Sequence, residues 1–277
     1  MKIYTYDNKV MTVGGKWMEQ PTDPYNPLGL PPFTMRVEFY GDDANLDPSA
    51  LGDVNGTWTN VSGSIWDWTY QNTDWHYDNS RGAMCYYDDV QFRQYRNICG
   101  KYRFNVLGAN TAGVTNMANF FRSHKYIQSI ALFDTSSVTN MSYFLYANSG
   151  SVLTAVPQFD TSKVTDMSYM LFRCEYLTSV PLFDTSSATN TTYMLSQCSR
   201  LTSIPLFDTS SMTNVSSMFQ RCVSVESGAL ALYTQMSTQA TPPSYHSQTF
   251  YSCGTNTTTG AAELAQIPTS WGGTMTE

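Results

Sequence analysis

The sequence predicts a β-rich N-terminal region followed by an α/β repeat solenoid of short parallel strands and short helices, closed by a C-terminal cap. Three observations carry this. A Phe-Asp-Thr-Ser block recurs at Phe133–Ser136, Phe159–Ser162, Phe183–Ser186 and Phe207–Ser210, in steps of 26, 24 and 24 residues. A period in that range belongs to units that each form one supersecondary turn and bury their apolar side only by stacking. Within one unit, Met167, Met170, Leu171 and Cys174 fall at i, i+3, i+4 and i+7, the pattern of a two-turn amphipathic helix. In the first half, Phe33, Met35, Val37 and Phe39 alternate with polar residues, as on a strand with one buried face.

In chain order, residues 1–20 read as an attachment hairpin, with Lys9–Val13 and Lys16–Met18 flanking Gly14-Gly15. Residues 21–32 hold five prolines and read as a linker. Residues 33–103 form a small β-rich domain, in which Thr57–Val61 and Ile65–Tyr70 follow the first strand. Four of the six tryptophans fall between Trp58 and Trp75, placing much of a core or a recognition surface there.

Residues 104–228 hold about five units of about 24 residues. Asn116, Asn140, Asp166, Asn190 and Asn214 stand where an N-cap belongs. Leu153–Pro157, Leu177–Pro181 and Leu201–Pro205 read as short strands pairing with their counterparts one unit on. Asp134, Asp160, Asp184 and Asp208 form a carboxylate column expected to cap turns by accepting backbone N–H bonds. Cys174, Cys198 and Cys222 share one phase without a histidine, and read as buried small apolar residues in place of a metal ladder. Residues 229–277 read as a cap over the last open edge.

Charged residues make up only 13% of the chain, so solubility rests on hydroxyl and amide side chains. The net charge of -7, with no basic run, argues against nucleic acid. No apolar stretch is long enough to span a membrane, and the N-terminus has no apolar signal segment. Synthesis in a host cytoplasm with display at a virion surface fits both readings; a bacterial cell surface is the alternative.

The pattern carried by Phe159 to Pro181, and with gaps by its neighbours, resembles the leucine-rich-repeat-like units of BspA-type bacterial surface proteins, in the form found in gut phage and prophage structural proteins. Met-Phe of that pattern is Phe144-Leu145, Met170-Leu171 and Met194-Leu195 here, and is intact at Met218-Phe219. The resemblance implies a non-enzymatic virion structural protein, a head fibre or tail appendage. It would present its repeats to a host-surface glycan or protein and touch other virion proteins through its N-terminal region, with homo-oligomers possible. A bacterial surface adhesin and a glycan-degrading enzyme are the alternatives.

The candidate ligand surface is the outward column Tyr143, Tyr169 and Tyr193, with Thr154, Thr178 and Thr202 as a parallel polar row. Val10, Met11, Val13, Trp17 and Met18 are the candidate particle attachment. No catalytic residue, cofactor or metal ligand is assigned. Asp43–Asp47 starts like a calcium loop, but Pro48 and Val54 stand where its glycine and glutamate belong. Asp67, Asp74 and Asp78 lie among tryptophans as a glycosidase's carboxylates would. His76, His124 and His246 have no nucleophile at motif spacing.

Overall fold

The computed structural model describes residues 26–32, 34–41, 44–45, 47–48, 56–70, 103–122, 126–146 and 152–275, together with strand residues 5–6, 9–11 and 17–19. Three short strands open the chain: β1 (Thr5–Tyr6), β2 (Lys9–Met11) and β3 (Trp17–Glu19), antiparallel in the order β1-β2-β3. The expected turn at Gly14-Gly15 lies outside the described residues.

A mixed five-stranded sheet follows: β4 (Thr34–Phe39), β5 (Gly56–Ser62), β6 (Ile65–Tyr70), β7 (Phe104–Ala109) and β8 (Ile127–Ile130), in the order β5-β6-β4-β7-β8. β4 is central, and Met35, Val37 and Phe39 on one of its faces are 2%, 1% and 1% exposed. It pairs antiparallel with β6 and β7, while β7 and β8 are parallel. On the opposite face of β4, Arg36 grips Asp67 of β6 through two bonds of 2.7 and 2.8 Å, a bidentate cross-strand pair.

This sheet crosses residue 103 and runs directly into the repeats. β7 and β8 lie one unit apart, and one apolar cluster extends from Met35 to Trp271. The Phe-Asp-Thr-Ser phenylalanines Phe133, Phe159, Phe183 and Phe207 are all fully buried in it.

The α/β solenoid expected from the repeats is not what the structure contains. The fold is a mixed, mostly β arrangement. Among the described residues the α-helices are α1 (Ala229–Thr238) and α2 (Thr258–Leu264), which are short and lie after the repeats, followed by a 3-10 turn, Thr269–Trp271. None of the described repeat residues is helical. Over 167–174 the Met170 N–H donates to the Met167 carbonyl and the Cys174 N–H to the Leu171 carbonyl, each at 3.2 Å. These are three-residue steps, not four. Tyr169 and Arg173, third in each turn, have φ of 56° and 59°, which marks type II turns. The Phe172 N–H likewise donates to the Tyr169 carbonyl at 3.2 Å, while alternate N–H groups reach the next unit: Met167 donates to Asn190, Tyr169 to Thr192, Leu171 to Met194 and Arg173 to Ser196, all at 2.9 Å.

A physical reason lies in length. Eight residues are too few for a helix to stand by itself, whereas a turn-built coil satisfies its buried N–H groups on its neighbour. The apolar spacing that suggested a helix suits both conformations.

The expected unit strands are also absent. Leu153–Pro157 and Leu177–Pro181 each give one bond to the rung after, Thr178 N–H to Thr154 and Thr202 N–H to Thr178, at 3.1 and 3.2 Å, and Leu201–Pro205 makes an isolated parallel bridge, Ser203 with Ser227. Each ends in a tight reversal, where the N–H two residues after the leading carbonyl donates back to it: Phe159 to Pro157, Phe183 to Pro181 and Phe207 to Pro205, all at 2.9 Å. A proline without an N–H and a reversal straight after it leave no room for a ladder.

Two side-chain columns fasten the units. Asn116, Asn140, Asp166, Asn190 and Asn214 form parallel bridges from unit to unit, and each side-chain oxygen accepts the N–H two residues on, at 2.8 to 3.2 Å. Buried Thr111, Thr135, Thr161 and Thr185 donate their hydroxyls to the aspartate carbonyl of the following unit, at 2.5 to 2.9 Å. At the last unit Thr209 donates instead to Gln239, just past α1, at 2.8 Å.

Candidate functional site

The tyrosine column is built by the backbone. Tyr143, Tyr169 and Tyr193 occupy equivalent left-handed positions, with φ of 59°, 56° and 55°. Each donates its N–H across to the next unit, so one coil rise separates successive rings. Tyr143 and Tyr169 stack at 4.7 Å and 7° from parallel, and Tyr169 and Tyr193 at 4.8 Å and 13°. These are the spacings of adjacent strands in the hydrogen-bonding direction.

A second, shorter column runs alongside. Tyr146 and Phe172 stack at 4.9 Å and 10°, and Phe172 meets Tyr169 edge-on at 5.5 Å. The Arg122 guanidinium closes the N-terminal end, 4.9 Å from the Tyr143 ring centre and 4.8 Å from that of Tyr146. The Arg122 Nη1 also donates to Asn119 Oδ1 at 2.9 Å. Sequence reading overlooked this second column and its cap. The signal was present, since Tyr146 and Phe172 share the 26-residue step of Phe133 and Phe159.

The stacking decides what the flank can offer. A ring sandwiched between two others has no free face for a sugar to lie on; Tyr169 presents an edge and a hydroxyl. Burial raises the Tyr169 phenol, with the neighbouring Tyr143, Tyr193 and Tyr146 adding to the rise. The three rings are half-buried, rather than the openly exposed face the sequence suggested.

Thr154, Thr178 and Thr202 are exposed, and their hydroxyls serve the rung below: Thr178 donates to the Thr154 carbonyl at 3.3 Å and Thr202 to that of Thr178 at 3.2 Å. With the Thr178 and Thr202 hydroxyl protons so engaged, the row offers solvent mainly threonine methyls and oxygen lone pairs. Of the residues the sequence offered as candidates for attachment, Val10 pairs with Met18 and Met11 with Trp17 across β2 and β3. Val13 lies outside the described residues.

The remaining candidates fall in separate places. Asp134, Asp160, Asp184 and Asp208 each accept the N–H of the serine two residues on, at 2.9 to 3.1 Å. The Ser186 hydroxyl and N–H hold Asp184 below the usual carboxylate range, and Ser210 does the same for Asp208. Among the described residues no cluster of three or more His, Cys, Asp or Glu could hold a metal ion. Asp67 is engaged by Arg36, whereas Asp74, Asp78, His76, His124, Cys85, Cys99 and Asp43 lie outside the described residues. His246 stacks on Trp271 at 4.1 Å and 7°.

The in-phase cysteines are free and buried. Cys174, Cys198 and Cys222 donate their thiols to the carbonyls of Leu145, Leu171 and Leu195, at 3.3, 3.3 and 3.1 Å. Burial pushes Cys222 up to about 12, so the thiol stays protonated and unreactive. No helix among the described residues is long and apolar enough to cross a membrane.

A family comparison covers these same columns. Residues 92–200 and 145–250 match the family described as Mycoplasma protein of unknown function, DUF285, and together they take in more than half of the chain. The chain belongs to this family. The DUF285 segments contain the whole tyrosine ladder, its Arg122 cap and the in-phase Cys174, Cys198 and Cys222. No curated protein and no solved structure matches the chain.

Proposed function

We propose that this chain is a bacteriophage virion structural protein, a head fibre or tail appendage, that meets a host-surface glycan or protein along the tyrosine flank of its DUF285 repeats. The observation that supports the reading is the face-to-face ladder Tyr143, Tyr169, Tyr193. Rings of three consecutive units lie face to face, each half-buried, on equivalent left-handed backbone positions. Buried Asn119 and Ser217 hold the same left-handed position in the flanking units, so the conformation belongs to the repeat; what is particular to these three units is the tyrosine, which gives a binding surface a rigid row of hydroxyls and ring edges. The flank acts by binding and not by catalysis. Attachment to the particle falls to the N-terminal strands β2 and β3.

A second reading, a bacterial cell-surface adhesin, is favoured by the family's description as a Mycoplasma protein. Mass spectrometry of purified particles separates the two: the chain is expected among virion proteins, and its absence from them would leave the adhesin. The flank itself is tested by the triple change Tyr143→Phe, Tyr169→Phe and Tyr193→Phe, which keeps every ring and removes every hydroxyl. Binding of labelled protein to host cells should fall at least tenfold without loss of melting temperature. Undiminished binding would rule the flank out.

A further inference from the structure

On another flank the repeats leave two large aliphatic side chains in water. Leu182 and Leu206, each following the unit's proline, are 58% and 56% exposed. Beside them stand Asp184 and Asp208, and the four side chains line a groove of about 460 Å³. Its ends are fixed. Gln158 Nε2 donates to the Leu182 carbonyl at 3.0 Å, while Gln235 of α1 donates to the Phe207 carbonyl at 2.7 Å and to Thr209 Oγ1 at 3.0 Å. The groove is therefore preformed, with backbone-anchored amides at both rims.

Its chemistry is one-sided. No Lys, Arg or His lines it. Neither aspartate forms an ion pair among the described residues, and the chain as a whole carries a net charge of -7. Each carboxylate keeps one oxygen on its serine, at 2.6 Å from Ser186 Oγ for Asp184 and 2.9 Å from Ser210 N for Asp208, which leaves the second oxygen to face a ligand. Two aliphatic groups and two uncompensated carboxylates, repeated one unit apart, are the complement of a chain that carries apolar and cationic side chains together.

We propose that this groove docks a basic, amphipathic segment of a partner protein, with Lys or Arg side chains on Asp184 and Asp208 and aliphatic or aromatic side chains on Leu182 and Leu206. A small polycation would satisfy the carboxylates but not the branched apolar area, so the leucines distinguish the two occupants. This surface is separate from the tyrosine flank and stands or falls independently of it.

The test is isothermal titration of the full chain with a capped Gly-Lys-Leu-Lys-Leu-Gly peptide, the same peptide with Ser for Leu, and spermidine. Saturable binding of the Lys-Leu peptide is expected. It should weaken at least tenfold with Asp184→Asn plus Asp208→Asn, and at least tenfold with Leu182→Ser plus Leu206→Ser. All four positions are exposed, so circular dichroism of both variants should match the parent. The serine peptide and spermidine should bind at least tenfold more weakly. Absence of saturable peptide binding, indifference to the leucine variant, or spermidine binding as tightly as the peptide would each overturn the proposal.

Discussion

Tyr169 and Tyr193 stack 4.8 Å apart on backbones of φ 56° and 55°, so the conformation least favoured by an L residue is where the repeats place their surface rings. Left-handed backbone costs about 1–2 kcal/mol at a non-glycine residue, and a good aromatic pair returns about 0.5–1.5 kcal/mol. The two effects nearly cancel. Stacking therefore fixes ring position at small net cost.

Removing one ring should show that balance. Tyr169→Ala gives up contacts with both Tyr143 and Tyr193 and should lower stability by about 1–3 kcal/mol in urea unfolding. Tyr169→Gly should lose less, because glycine occupies the same backbone without strain. Equal losses would mean that φ contributes nothing at this position.

The buried hydroxyl column makes a separate demand. Thr161→Val leaves the Asp184 carbonyl without the 2.8 Å bond it accepts, and should cost about 1–3 kcal/mol. The exposed Thr178→Val should change stability by less than about 0.5 kcal/mol. Chemical denaturation of both variants separates a fastening hydroxyl from a surface one.

Gly228 enters α1 at φ 100°, and a Cβ there would meet the Ile204 carbonyl oxygen. Gly228→Ala should destabilise by about 2–4 kcal/mol, summing left-handed strain and overpacking. A neutral effect on the melting temperature would contradict this close approach of the cap to the last repeats.

Two sets of groups set the pH limits of stability. Asp184 and Asp208 titrate below their unfolded value because serine donors favour the charged form. Their stabilisation is full above about pH 4, where unfolded aspartate ionises, and is lost as pH falls through their lower folded values. Cys222 titrates at about 12 when folded, above an unfolded thiol near about 8.5, so its contribution is full below the unfolded value and is lost as pH rises toward 12. Thermal melts from pH 2 to 11 should show a plateau bounded on both sides. Cys222→Ala should make the alkaline limb shallower, with buried Cys174, Cys198 and Cys253 carrying the rest of it, and Asp184→Asn should make the acid limb shallower, with Asp208 remaining.

Much of this molecule was legible in its sequence, at the level of which side chains are buried. Met167, Met170, Leu171 and Cys174 are buried, and the Asp134 to Asp208 column caps turns. The backbone that buries them was not legible. Spacing at i, i+3, i+4 and i+7 is shared by an α-helix and by consecutive turns that bond to the next coil. The positive φ at Tyr169 and Arg173 and the amide bonds to the next unit separate them, and neither residue type advertises that backbone as glycine would. The tyrosine column was readable from its phase, but its face-to-face stacking depended on the rise between coils, which no single unit encodes. The inter-unit role of Thr135, Thr161 and Thr185 was hidden because the same residues suit a local turn.

The most direct test is a scalar coupling across the hydrogen bond of the Tyr169 amide, measured by NMR on isotopically labelled protein. Coupling to the carbonyl carbon of Thr192 is expected, since that bond at 2.9 Å carries Tyr169 from one unit to the next and aligns its ring with Tyr193. Coupling to the carbonyl of Thr165, four residues back, would make the segment a helix and remove the ladder with it.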